Sequence, residues 1–295
     1  MDVFKTKPGL NESIIISEEQ FTKATAKKIP YYLPGGNQKP PRCFAVCPMC
    51  DNPIQIIGLY KMHDEGRNPY GRHFPRDIEG LADYDEEAYY GCYYANPEKR
   101  KQVVKRSPRN VTGIALYNLL REQFDRIIYI LETSIEIKIS YAFAEEILRM
   151  YLLYEGWRYY DSTYDNLPFM LIYAIQAKPL VNRLILKDGN LYNFLKEDCK
   201  AVSLEELPDS KYAKITAKEG FVDLSFYLCN HNVKKEAESI EETYKLVVVE
   251  DEKAIYERLI KVDPDFLRKL IALPQERSRR NPKMLKIAET LMVKD

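Results

Sequence analysis

Cys47-Pro48-Met49-Cys50-Asp51-Asn52-Pro53-Ile54-Gln55-Ile56-Ile57-Gly58-Leu59-Tyr60 is the stretch that decides how the first third of this chain folds. Two residues between cysteines let a tight turn aim both sulfurs at one ion while backbone amides face the thiolates. Asp51-Asn52-Pro53 extends that turn, and the β-branched run from Ile54 to Tyr60 predicts a strand after it. A redox Cys-x-x-Cys belongs to a thioredoxin-like βαβ unit. A strand following the knuckle therefore points to metal binding instead.

A closed structural site needs two more ligands. Working outward, the sequence offers His73 in Tyr70-Gly71-Arg72-His73 and Cys92 in Tyr90-Gly91-Cys92-Tyr93. Each lies beside a glycine, as a sharp ligand-bearing turn requires. The expected set is Cys47, Cys50, His73 and Cys92, with Cys43 and His63 as competing ligands and reduced, packed thiols as the alternative. Zinc is the expected ion and its expected role is structural. Asp77 and Glu79 are near in sequence, but no His-x-Glu or His-Glu-x-x-His pattern accompanies them. Cys199 and Cys229 fall in elements expected to be core and read as packing residues.

Residues 1–42 read as an arm and loop, with a short strand near Ile14-Ile15-Ile16, a helix start at Ser17 and breakers at Pro30, Pro34, Gly35, Gly36, Pro40 and Pro41. The metal module spans 43–97. Residues 98–210 hold a basic connector and a helical region. Within it, Ile114, Leu116, Tyr117, Leu120, Phe124, Ile127, Ile128 and Leu131 recur at helical steps. A break is expected at Thr133-Ser134, then a second helix ending near Gly156. Pro168 begins another helix, and Asn190–Lys196 a further one. Residues 211–295 are mixed. Phe221–Leu228 and Tyr244–Val249 alternate as strands expected to pair across a polar stretch at Asn230–Glu242. A helix is expected over Ala254–Leu273, interrupted at Pro264, and another from Asn281-Pro282. The fold class is α+β: a zinc-stapled N-terminal module, a helical middle and a small antiparallel sheet with flanking helices. The module and the helical body are expected to share one core.

Composition narrows the function classes. Of 295 residues 45% are hydrophobic and 30% charged, enough to bury a core. Lys plus Arg and Asp plus Glu both number 44, which argues against a protein that coats nucleic acid. Two local basic clusters remain candidates for an anionic partner: Lys99, Arg100, Lys101, Lys105, Arg106 and Arg109, and then Arg277, Arg279 and Arg280. Tyrosine is abundant, 23 against 11 Phe and one Trp, and its amphipathic ring suits core edges and interfaces. Met1–Asn11 lacks an apolar signal core, and no run approaches the ~20 apolar residues of a membrane span. A cytoplasmic protein with reduced thiols is expected.

The knuckle Cys47–Ile54, with Tyr70–His73 and Cys92, resembles the zinc-ribbon-like segment of uncharacterised proteins of Gram-positive bacteria, their phages and mobile elements. The resemblance covers about a fifth of the chain and implies metal binding. Chain size, tyrosine content and the lack of catalytic motifs also suit a phage-encoded inhibitor of a host defence complex such as Gabija. The expected function is a non-enzymatic, zinc-stabilised interaction module with a protein partner, and a homo-oligomer is one expected form. The first alternative is a nucleic-acid-binding accessory protein. The second is a metal-dependent hydrolase or nuclease, for which Asp223, Glu250 and His231 are the only candidates.

Overall fold

In a computed structural model, the described residues are all but 11–12, 37–39, 61–67, 93, 96–104, 174, 237–238 and 294–295. Strands β1 (Val3–Phe4) and β2 (Ile14–Ile15) pair antiparallel. Helix α1 (Glu18–Thr25) starts at Ser17, whose hydroxyl accepts from the Gln20 N–H at 3.2 Å, as the sequence predicts. Strands β3 (Tyr32–Leu33), β4 (Arg42–Val46), β5 (Pro53–Ile57) and β6 (Tyr70–His73) form one antiparallel sheet in chain order. Alternate residues of β4, Cys43 and Ala45, and Cys47 just past its end, enter a core shared with Phe4, Ile16, Phe21, Ile54 and Ile56. Residues read as an arm are thus part of the core. Each fully buried large side chain of this kind contributes about 1.5–3 kcal/mol. Helix α2 (Glu86–Tyr90) is capped by Asp85, which accepts from the Ala88 N–H at 2.9 Å.

Helix α3 (Val111–Ile135) and helix α4 (Tyr141–Leu153) occupy the region where the sequence shows helical periodicity. The break is complete at Ile137, just past the expected Thr133-Ser134, and Ser140 caps α4. Helix α5 (Leu167–Tyr173), strands β7 (Lys178–Pro179) and β8 (Leu184–Leu186), helix α6 (Asn190–Glu197), and strands β9 (Val202–Glu206) and β10 (Tyr212–Ala217) follow. The order β8-β10-β9 makes a three-stranded sheet. Strands β11 (Leu224–Glu236), β12 (Ser239–Glu250) and β13 (Lys253–Lys261) join β7 in the order β13-β12-β11-β7. Helices α7 (Phe266–Ala272) and α8 (Pro282–Leu291) end the described fold, the latter capped by Asn281 with Pro282 at its start.

The class is α+β, with eight α-helices and several small antiparallel sheets among the described residues. The helix expected over Ala254–Leu273 is corrected: its first half is β13, and only Phe266–Ala272 is helical. The polar stretch expected to link two strands is itself strand over 230–236 and 239–242, and Phe221 lies ahead of β11, 93% exposed. The chain forms two compact units. One comprises chiefly Met1–Asn118 and Trp157–Tyr164, the other Leu119–Gly156, Asp165–Glu236 and Ile240–Asp295. Within the first unit a second, smaller cluster of Phe44, Val46, Leu81 and Ala82 lies beside the knuckle's core. The boundary between the two units falls inside α3, after Asn118. No helix among the described residues is long and apolar enough to cross a membrane.

Candidate metal centre

β4 and β5 flank the knuckle, so Cys47 sits where the first strand ends and Cys50 inside the turn. The turn closes with the Cys47 N–H donating to Asn52 O at 2.9 Å and the Asp51 N–H to Cys47 O at 3.2 Å. Asp51 takes the left-handed conformation at φ 61°, which its short polar side chain tolerates. Its carboxylate accepts from the Gly9 N–H at 3.2 Å and pairs with Lys5 Nζ. Lys5, fully buried, also donates to Leu10 O at 3.2 Å and Pro48 O at 3.3 Å, tying β1 to the knuckle.

His73 arrives at the end of β6, which pairs with β5 so that His73 faces Ile54. Cys92 follows α2. Neither neighbouring glycine has a positive φ, which corrects the sharp-turn expectation. Gly71 is needed for close approach: a Cβ there would meet Ile54 Cδ1 at 2.9 Å and Met1 Cγ at 3.0 Å. A Cβ on Gly91 would meet the Tyr160 side chain at 3.4 Å.

The Sγ atoms of Cys47, Cys50 and Cys92 and a ring nitrogen of His73 all lie within 4.8 Å of one another. Cys47 Sγ is 3.7 Å from Cys92 Sγ, and Cys50 Sγ is 3.2 Å from His73 Nε2. The three cysteines are buried and His73 is half-buried. These four residues form a potential metal-binding site. Burial pushes all three thiols up. At Cys47, hydrogen bonds from Cys50, Cys92 and His73 outweigh it and hold that thiol well below the usual range, while Cys50 and Cys92 rise well above theirs. Three thiols are thus crowded and desolvated together. A bound cation would let all three ionise.

Cys43 stands four residues before Cys47 on β4, about 13 Å along a strand. It is a buried core thiol outside the group of four converging ligand atoms, and burial pushes it up to about 11. His63 lies outside the described residues. No protein-family model, curated protein or solved structure matches this chain. The functional reading rests on the site itself.

Sequence reasoning missed the residues that hold the site in place. Asn52 is fully buried. Its Nδ2 donates to Cys50 Sγ at 3.4 Å and to Asp85 O at 2.9 Å, and its Oδ1 accepts from the Asp85 N–H at 2.6 Å. It links the knuckle to the helix preceding Cys92. Groups that orient metal ligands are typically worth 10- to 100-fold in affinity. Asn52→Ala is expected to weaken metal binding by about that factor, read by competition with a calibrated chelator. Equal affinity in the variant would show Asn52 to be a packing residue.

Arg106 corrects the basic-connector reading. It is 1% exposed, and its guanidinium donates to five carbonyls, those of Met49, Trp157, Tyr159, Tyr160 and Ser162. It offers nothing to an anionic partner. Lys105 lies over the Tyr159 ring at 5.1 Å, and Arg109 is exposed. Lys99, Arg100 and Lys101 lie outside the described residues. In the second unit Arg277 is exposed, Arg279 covers the Tyr129 ring at 5.0 Å, and Arg280 is 3.3 Å from Asp125 Oδ1.

Among the candidates for hydrolysis, Asp223 and Glu250 come from neighbouring backbone, the Asp251 N–H donating to Asp223 O at 3.1 Å, and His231 stands apart from them. Asp223 precedes β11, whereas His231 lies eight residues further along that chain, about 26 Å in extended geometry. His231 instead contacts Glu242 at 2.5 Å and stacks on the Tyr244 ring at 4.5 Å. Glu242 also accepts from Asn166 Nδ2 at 2.6 Å. Beside them burial pushes the Asp165 carboxyl up to about 7, against the opposing pull of Arg268. Arg268 Nη2 is 3.1 Å away, yet not aligned as a hydrogen bond to Oδ1. The raised value means the folded state binds more protons than the unfolded chain between about pH 4 and pH 7. This group's stabilising share is present in acid and lost as pH rises through about 7. From about pH 5 to about pH 8 it costs about 2–3 kcal/mol. Asp165→Asn is expected to remove that part of the pH dependence in urea unfolding. An unchanged profile would place the titration elsewhere.

Proposed function

We propose that the ion is zinc, that it folds the first unit, and that the protein works by binding another protein rather than by catalysis. The observation that carries this reading is the buried four-ligand set on a knuckle hairpin. Zn–S bonds of about 2.3 Å and Zn–N bonds of about 2.0 Å in a tetrahedron place ligand atoms about 3.5–3.8 Å apart. The 3.7 Å separation of Cys47 and Cys92 fits that edge, and 3.2 Å between Cys50 and His73 is slightly inside it. Three thiolates and an imidazole suit zinc rather than the oxygen-seeking cations. Four protein ligands fill the sphere, whereas catalytic zinc keeps one position for water.

Aromatic side chains surround the centre. Tyr89 packs edge-on to His73 at 5.3 Å and contacts Tyr84 and Tyr90. Tyr90 is 55% exposed. Exposed tyrosines on a rigid support resemble the anchors of protein interfaces. The partner class suggested by sequence is a host defence complex. The test is capture of a partner from the native host by tagged protein, alongside elemental analysis. One zinc per chain and a captured protein lost on Tyr84→Ala with Tyr90→Ala, zinc retained, support the reading. A zinc-free folded protein, or recovery of nucleic acid alone, rejects it.

A further inference from the structure

The second unit contains a pocket unrelated to the metal centre. Within α3, Gln123 departs from helical geometry at φ −120° and ψ 17°. There its Oε1 accepts from two guanidinium groups, Nη1 of Arg126 and Nη1 of Arg280, the latter at 3.1 Å. Arg126 is only 7% exposed, and its Nε donates to Ser278 O at 2.9 Å, which fixes the direction of its fork. Arg280 also donates to Glu122 O at 3.4 Å.

Two cations meeting at one neutral oxygen repel each other, more strongly as water is excluded. The carboxylate beside them is Asp125. It lies 3.3 Å from Arg280 and is already engaged by the N–H groups of Arg126 at 2.9 Å and Asn281 at 2.8 Å. The pocket has a volume of about 320 Å³ and is lined by Gln123, Arg126, Leu273, Gln275, Ser278 and Arg280. None of these is acidic. The volume is at the lower end of small-molecule sites, and Leu273 supplies an apolar wall.

We propose that this pocket binds the terminal phosphoryl group of a phosphate monoester, with Arg126 and Arg280 as its clamp. A carboxylate is satisfied by a single guanidinium fork. A tetrahedral phosphoryl group has oxygens for two forks at once. Gln123 Oε1 holds the place of one such oxygen, and the bound anion displaces it. Leu273 and Gln275 then face the remainder of the ligand. A nucleoside monophosphate and the 5′-phosphate of a strand end share the chemistry.

The experiment is calorimetric titration of the full-length protein with inorganic phosphate, adenosine monophosphate, adenosine, and one short oligonucleotide with and without a 5′-phosphate. Saturable binding of one phosphorylated ligand per chain is expected, absent for adenosine. Arg280→Gln and Gln275→Glu should each weaken it about tenfold or more, with metal content unchanged. Gln275 is exposed, so its variant reports on binding even where Arg280→Gln disturbs folding. A preference for the monophosphate or for the 5′-phosphorylated strand names the source, and either supports the proposal. Lack of phosphate-dependent binding by every probe overturns it. So does binding unaltered by Gln275→Glu, or oligonucleotide binding indifferent to the 5′-phosphate.

Discussion

Cys50→Ser is expected to leave well under one metal ion per chain and to unfold the first unit. Metal binding at closed four-ligand sites contributes apparent free energies of about 10–16 kcal/mol. A domain's whole stability is about 5–15 kcal/mol. Much of the first unit's core is assembled on the knuckle: Phe4, Phe21, Ile54, Ile56 and Tyr160 share one cluster with Cys47, Cys50 and Cys92. Without the ion, three buried thiols and a histidine face one another with no compensating charge. The measurement is elemental analysis with fluorescence of Trp157, the one tryptophan of the chain, which belongs to this unit. Cys229→Ser is the control, since Cys229 belongs to β11 in the other unit. Undiminished metal in Cys50→Ser removes Cys50 from the site. Retained metal and fold after prolonged chelation remove the structural role.

The second large effect is expected from Arg106→Met. The guanidinium reaches Tyr159 O at 2.5 Å and Ser162 O at 3.1 Å, with Trp157, Tyr160 and Met49 carbonyls at 3.3–3.4 Å. Its plane lies 5.0 Å from the Tyr160 ring. Methionine fills the volume but donates nothing, so several buried acceptors lose their partner at once. Each stranded acceptor costs about 1–3 kcal/mol, and the longer contacts contribute least. The expected loss is about 3–5 kcal/mol in urea unfolding. Arg106→Lys should recover only part, because an ammonium cannot reproduce a planar fork. A loss below about 1 kcal/mol would mean that water replaces the guanidinium. Because one of the five carbonyls belongs to Met49 in the knuckle, the variant should also release metal faster.

Local features were legible in the sequence because their energetics lie between near neighbours. Ser17 and Asn281-Pro282 start helices where a side chain caps the next turn. The knuckle and its following strand need only the Cys47–Ile57 stretch. β13 was not legible. Ala254–Lys261 carries Glu, Arg, Leu and Lys, good helix formers, with Ile255 and Leu259 four apart. Its state is set by cross-strand neighbours: Lys245 pairs with Glu257 at 2.7 Å and Lys261 with Glu241 at 2.6 Å, while Tyr256 packs on Phe194 at 4.8 Å. Such pairs override intrinsic preference. As an edge strand, β13 gains from charged residues that deter further pairing.

By itself, the sequence determined the four ligand types, the turn that presents two of them, and the helix starts, since these depend on residues a few positions apart. Only the tertiary structure decided that Arg106 is an internal anchor and that Arg126 meets Arg280 at Gln123. Those outcomes depend on groups 51 to 157 positions distant. The contacts form only after chain closure has brought the partners together, and no local spacing encodes them.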